Sequence, residues 1–230
     1  MRAVSRVAHY MLIEQLSPLI TLALILLLAF FAHKTTSQLF TIIYRAVRSE
    51  KIALYIVCFF YLPGTFLHEV AHLLTGIILF LKVTRFTIIP VVERTPGGYG
   101  VKLGSVTYIQ RDPLRGFLVG IAPIFFGVLF FYFLPSLFTE FGISLIGRIL
   151  LGYGAFVVAS TMVSSKQDLR DGIFMIPLLL LVGLLCYIFQ FNPLSNHYLL
   201  EFVSQMNYHL SIALLINIGV YAVTAIFLKL

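Results

Sequence analysis

Residues 52–82 read IALYIVCFFYLPGTFLHEVAHLLTGIILFLK. Only Glu69 and the terminal Lys82 carry a formal charge in this stretch, which is the composition of a membrane-spanning helix. It is longer than the ~20 residues that one straight, untilted span requires, and Pro63-Gly64 interrupts it. The rest of the chain agrees with a lipid environment. Of its 230 residues 60% are hydrophobic and 11% charged, with a mean hydropathy of +1.00, whereas soluble domains run nearer ~45–50% apolar and ~25% charged. Further apolar runs lie at about 18–32, 114–138, 143–163, 172–191 and 207–228. Each run is continuous rather than alternating, which favours helices over a barrel. The expectation is an all-α polytopic membrane protein: one integral membrane domain over 1–230, with about six transmembrane helices and no internal repeat.

This composition excludes a disordered chain, a collagen and a secreted disulfide scaffold. Cys58 and Cys186 fall inside apolar runs and read as buried small hydrophobes. The formal charge of +7 needs no nucleic acid, since Lys and Arg accumulate in cytoplasmic loops and beside anionic headgroups. Arg2 and Arg6 precede the first run, which reads as an uncleaved span starting near Pro18, because no small-residue cleavage site follows it. Residues 33–51 mix Lys34, Arg45, Arg48 and Lys51 with apolar side chains and suggest a helix lying on the bilayer surface. Between Lys82 and Arg115, Pro90, Pro96, Gly97, Gly98, Gly100 and Gly104 punctuate short β-prone pieces. They indicate a β-hairpin insertion over 83–112, a small sheet at the membrane surface between the second and third spans. The loops 82–115 and 164–171 are basic while 138–142 and 192–206 lack Lys and Arg, which places the first two in the cytoplasm. An even number of spans then puts both termini inside.

Within 52–82 lies His68-Glu69-Val70-Ala71-His72, the pattern H-E-x-x-H. On a helix, positions i and i+4 share a face, so both imidazoles reach one metal ion while Glu69 sits beside them as a base. Six His and six Glu in 230 residues would produce this pattern by chance about 0.004 times. Ionisable groups in a membrane helix cost roughly 2.5–3.5 kcal/mol each, so three within five residues require something that offsets the cost. A tetrahedral catalytic zinc takes a third protein ligand. The chain has three Asp: Asp112 precedes Pro113 and reads as a helix cap, leaving Asp168 and Asp171 in Ser164–Gly172 near the same membrane face.

This combination resembles the site-2 protease family of intramembrane zinc metalloproteases (peptidase M50), over roughly 52–175. That family has H-E-x-x-H on one core span, a small-residue and Pro element on the next, and an Asp ending the third. Gly120-Ile121-Ala122-Pro123 resembles the second element. In the third, Ser160 stands eight positions before Asp168, where the family carries Asn, and no proline occurs from 160 to 172, which marks a divergent branch without a PDZ domain. The resemblance implies one Zn2+ per chain held by His68, His72 and Asp168, with Asp171 as the alternative third ligand. It further implies Glu69 as general base, and Ser160, Gly120 and Pro123 as substrate-positioning residues. The implied activity is hydrolysis of peptide bonds in transmembrane protein substrates, in a multi-pass protein of a prokaryotic cell membrane with the active site toward the cytoplasm. Water is expected to reach the site past the 94–104 segment and the Pro63-Gly64 break, and residues 101–109 to hold an extended substrate by strand addition. The competing readings are a membrane metal-ion transporter, a non-catalytic pseudoprotease scaffold, and a zinc protease with a Glu third ligand. The last would need Glu140 or Glu201, both expected on the opposite face. His9, His33, His197 and His209 read as surface or interface residues.

Overall fold

The computed structural model describes residues 2–95, 98–102, 104–109, 112–141, 144–163, 180–181, 184–186, 188–189 and 197–229. Its main elements, in chain order, are α1 (Arg2–Val47), α2 (Glu50–Ile78), β1 (Lys82–Thr87), β2 (Val91–Thr95), β3 (Gly98–Lys102), β4 (Ser105–Ile109), α3 (Pro113–Phe141), α4 (Leu145–Thr161) and α5 (His197–Lys229). Four stretches are long and apolar enough to cross a membrane: Ser17–Val47, Glu50–Ile78, Pro113–Phe141 and Tyr198–Lys229. Helix α4 is apolar but shorter. Against an expectation of about six spans, the described residues therefore carry four and α4, and the run at 172–191 lies mostly outside them.

The surface helix expected at 33–51 is instead the second half of α1, which runs unbroken through Pro18 to Val47. Several polar groups of α1 are met by α5. Thr21 donates to Asn207 Oδ1 at 2.7 Å, Thr35 to the Asn217 carbonyl at 3.4 Å, Thr224 to Gln38, and Arg45 caps the Leu228 carbonyl at 3.1 Å. The partners rise together in both helices, so α1 and α5 are parallel. Helix α1 reverses at Arg48, in the left-handed region at φ 51°, and α2 returns antiparallel, with Thr36 donating to the Tyr61 hydroxyl. Helix α5 therefore starts at the end of the bundle where α2 and α4 finish. The chain ends of α1 and α5 lie at opposite ends of the bundle, not on one side as the loop charges suggest.

Helix α2 is continuous through Pro63, whose missing N–H loosens one turn. At that turn the Phe60 carbonyl accepts the Tyr153 hydroxyl. Gly64 lines no opening: a methyl group there would lie 2.6 Å from both Thr161 Oγ1 and the Val157 carbonyl, so α2 and α4 touch backbone to backbone. Gly127 makes the matching close approach of α3 to Met162. Around these contacts the core gathers Leu28, Phe131, Ala155, Val158, Ala159, Leu210 and Ala213. Small residues let membrane helices approach closely enough for dispersion and hydrogen bonds to hold them together.

Helix α2 ends in a Schellman turn, Leu81 N–H donating to the Gly76 carbonyl at 2.8 Å with Phe80 left-handed at φ 55°. From there β1 pairs antiparallel with β4, and β2 with β3, as two successive two-stranded pieces of one ribbon. The expected hairpin is present, but it is not a patch at one membrane surface. Tyr99 N–H, near the tip, donates to Glu50 Oε1 at 3.3 Å, at the far end of the same α2 from which the ribbon departs. A 29-residue helix is ~43 Å long, and the ribbon runs back beside it. Its outer strand positions expose Arg85, Glu93 and Arg94, and an open ribbon bearing charges requires protein or water around it, not lipid tails.

The Gly64 contact sets an expected outcome. Gly64→Ala should lower stability by about 1–3 kcal/mol, the range for overpacking, measured as the thermal midpoint in detergent. Gly152→Ala, with nothing within 4 Å of the added methyl, should leave the midpoint within error; equal effects of the two would refute backbone-tight packing.

Candidate metal centre

His68, Glu69 and His72 occupy the last three turns of α2 and are 7%, 7% and 8% exposed. Their burial inside an apolar helix is possible because each imidazole is anchored by a different neighbouring helix. His68 Nδ1 lies 2.8 Å from the Thr161 carbonyl at the end of α4, and His72 Nδ1 lies 2.9 Å from the Val119 carbonyl in the second turn of α3. A carbonyl only accepts, so both Nδ1 atoms carry a proton, and a ring that is neutral keeps its lone pair on Nε2. The two Nε2 atoms face each other at 3.1 Å, with the rings nearly perpendicular at 82°.

Two ring nitrogens at this distance share a proton or a cation, since two facing lone pairs would repel. Tetrahedral zinc bonded to two imidazoles at ~2.0–2.1 Å holds its nitrogens ~3.3 Å apart. The pair therefore needs only a slight adjustment to serve as two ligands. Hydrogen bonding of the far ring nitrogen to a carbonyl is the outer-sphere arrangement that fixes a ligating histidine's tautomer and orientation. The residues present fit a divalent metal in this respect. Among the described residues no third His, Cys, Asp or Glu completes a cluster with them. Asp168 and Asp171 lie outside the described residues. Of the Glu alternatives, Glu140 lies in the last turn of α3, remote from His72's contact in its second turn, and Glu201 lies at the start of α5, at the same end of the bundle as the histidines rather than the opposite one.

Glu69 projects about 100° around α2 from His68 and meets the ribbon. A methyl group at Gly104 would sit 2.7 Å from Glu69 Cγ and 2.9 Å from Oε1. The joint between β3 and β4 thus packs directly over the carboxylate, and a side chain at Gly104 would require Glu69 to move. No feature of the sequence announces this contact except the glycine itself. Gly120 and Pro123 are buried on α3, one residue and four residues beyond Val119. Ser160 is turned toward α5: its hydroxyl donates to the Phe156 carbonyl and to Asn217 Oδ1, both at 2.9 Å. Asn217, fully buried, was not singled out by the sequence reading, although a lone Asn in an apolar run is a recognisable signal.

The Gly104 contact is testable as a double-mutant cycle. Gly104→Val alone should destabilise the protein, and in a Glu69→Ala background the same change should cost at least about 1 kcal/mol less. Additive effects on the thermal midpoint would show that the two residues do not touch. No known protein family, curated protein or solved structure matches this chain, so any reading of its chemistry stands on the histidine pair and its surroundings.

Proposed function

We propose that the chain is an intramembrane zinc metalloendopeptidase of the site-2 protease type, cutting transmembrane protein substrates at the end of the bundle where α2 finishes. The observation that carries this reading is the convergence of His68 Nε2 and His72 Nε2 at 3.1 Å, each ring held by a backbone carbonyl of another helix, with Glu69 next to them on the same helix. Asp168 is the proposed third ligand and Asp171 the alternative. Asp168 follows Thr161, whose carbonyl anchors His68, by seven residues, a tether of at most ~25 Å. A zinc ion held there would supply an acidified water and a polarised substrate carbonyl.

Glu69 takes the proton of the attacking water and returns it to the leaving amine, a role that requires a carboxylate within hydrogen-bond reach of that water. Val119 and Thr161 keep both imidazoles in the tautomer that ligation demands. Among the described residues strand β4 has a strand neighbour on one side only, and it begins one residue after the glycine that covers Glu69. Its other edge is where an unwound substrate segment adds as a strand. The charged ribbon beside α2 favours water over lipid on that side and supplies the hydrolytic water. Lys82 and Arg115 at the base of the ribbon, with Lys166 and Arg170 in the 164–171 stretch of the sequence, favour the cytoplasmic face for this end.

Elemental analysis of detergent-purified protein should find one zinc per chain, lost in His68→Ala, in His72→Ala and in one of Asp168→Ala and Asp171→Ala. Glu69→Gln should retain zinc and fold while cleavage falls by about 10²–10⁴-fold. A Glu69→Gln protein that cleaves at the wild-type rate, or folded wild type without zinc, would overturn the reading.

A further inference from the structure

A carbonyl inside an α-helix is normally committed to the N–H four residues further on. The two carbonyls that hold the imidazoles depart from this rule, for different reasons. Thr161 is the last residue of α4, and a helix has no N–H of its own for the carbonyls of its last four residues. Val119 lies in the second turn of α3, which continues unbroken to Phe141, so its carbonyl is released in another way. The position whose N–H would bond it is 123, and Pro123 has none. The proline ring also crowds that carbonyl, which hinders its alignment along the helix axis. His72 Nδ1 supplies the missing donor at 2.9 Å.

We infer that Pro123 is a positioning residue for the metal: because it lacks an N–H, it yields the Val119 carbonyl to His72 and so holds the proton on Nδ1 and turns Nε2 toward His68. The inference rests on the zinc reading above and deepens it, giving Pro123 a role distinct from the substrate contact that the family resemblance implies. Val119, Pro123 and His72 are all buried, so the imidazole rather than bulk water fills the vacancy. Fixing the far nitrogen of a ligating imidazole raises its metal affinity, and losing that partner typically costs 10–100-fold.

Two comparisons within the molecule support this assignment. His209 on α5 is 6% exposed, not the surface or interface residue that the sequence suggests, and among the described residues neither of its ring nitrogens has a hydrogen-bond partner. Its neighbours Tyr132 and Tyr208 pack the ring at centroid distances of 5.8 and 5.3 Å without satisfying it. Burial in this bundle therefore does not by itself provide an imidazole with a carbonyl. Pro135 is the other proline of α3, and it faces outward. Proline in a helix interior is strongly disfavoured relative to alanine, and at position 123 that penalty is accompanied by a vacancy that the putative ligand pair uses directly.

The test compares full-length wild type, Pro123→Ala and Pro135→Ala in detergent, with zinc as the probe. Competition against a chelating dye should show zinc bound about tenfold more weakly by Pro123→Ala and unchanged by Pro135→Ala. The thermal midpoint of apo Pro123→Ala should not fall, alanine being the better helix former. The α-hydroxy analogue of alanine at position 123, which has the methyl group but no N–H, should restore the affinity. A second readout needs no metal: in apo protein labelled with 15N-histidine, the His72 Nδ1 signal should be that of a protonated nitrogen in wild type and should move toward the unprotonated value in Pro123→Ala. Wild-type zinc affinity or unchanged nitrogen signals in Pro123→Ala would overturn the role of Pro123. So would an equal loss in Pro135→Ala, or a loss that the hydroxy analogue does not reverse, which would mark the proline as packing alone. Folded wild type that takes up no zinc would instead overturn the reading of the site, and the nitrogen signals keep the two failures apart.

Discussion

Hydrocarbon offers no hydrogen bonds, so each polar group buried in this bundle must find its partner within the protein. Two imidazoles spaced one turn apart on α2 turn that requirement into an arrangement of helices. His68 is satisfied by the carbonyl of Thr161 and His72 by that of Val119, and these contacts are possible only if α4 ends, and α3 begins, against the same face of α2. The glycines follow from this. Gly64 admits the backbone of α4, and Gly127 admits Met162 just past the residue whose carbonyl meets His68. A bulkier residue at either position would push α4 out of hydrogen-bonding range, so packing and the electronic state of the histidines are controlled by the same contacts.

The same demand accounts for the polar residues farther from the histidines. Asn217 accepts from Ser160, donates to the Ala213 carbonyl at 3.3 Å, and offers its own carbonyl to Thr35. One residue on α5 thereby joins α4, through its side chain, to α1, through its carbonyl, and its partner Ser160 stands one residue before the carbonyl that holds His68. On the other side of α2 the ribbon solves a different problem. Two-stranded pieces leave edge groups without strand partners, and such groups together with Arg85, Glu93 and Arg94 are tolerable only beside protein or water. The ribbon therefore marks the hydrated flank of the molecule, and Glu69 lies where that flank meets the dry core.

What the sequence discloses here is what depends on neighbours in the chain. The i, i+4 spacing of His68 and His72, the apolar runs and the glycine-punctuated hairpin are local patterns, and the described residues carry the pair, the hairpin and four of the apolar spans. The partners of those patterns are not local. Val119 and Thr161 act through main-chain carbonyls, which every residue has, so their identity carried no signal. The direction of the ribbon depends on a contact between Tyr99 and Glu50, 49 positions apart. The basic residues of 33–51 suggested a surface helix because their composition is interfacial. The polar groups nearby, Thr35 and Gln38, in fact face α5, whose complementary Asn217 and Thr224 are too distant in sequence to pair by inspection.

That pairing of α1 with α5 has a consequence for how the protein is made. Thr35 and Gln38 are separated from their partners by 182 and 186 residues, and at ~5–20 residues per second the ribosome takes roughly ten to forty seconds to deliver them. For that interval the first helix resides in the membrane with hydroxyl and amide groups whose eventual partners do not exist. It must be kept beside the translocon or an insertase, or be held by the early helices in a provisional packing that the last helix displaces. The closing step of biogenesis is thus the docking of α5, which also brings Asn217 to Ser160. Maturation of the histidine pair's surroundings is in this way timed to the completion of the bundle.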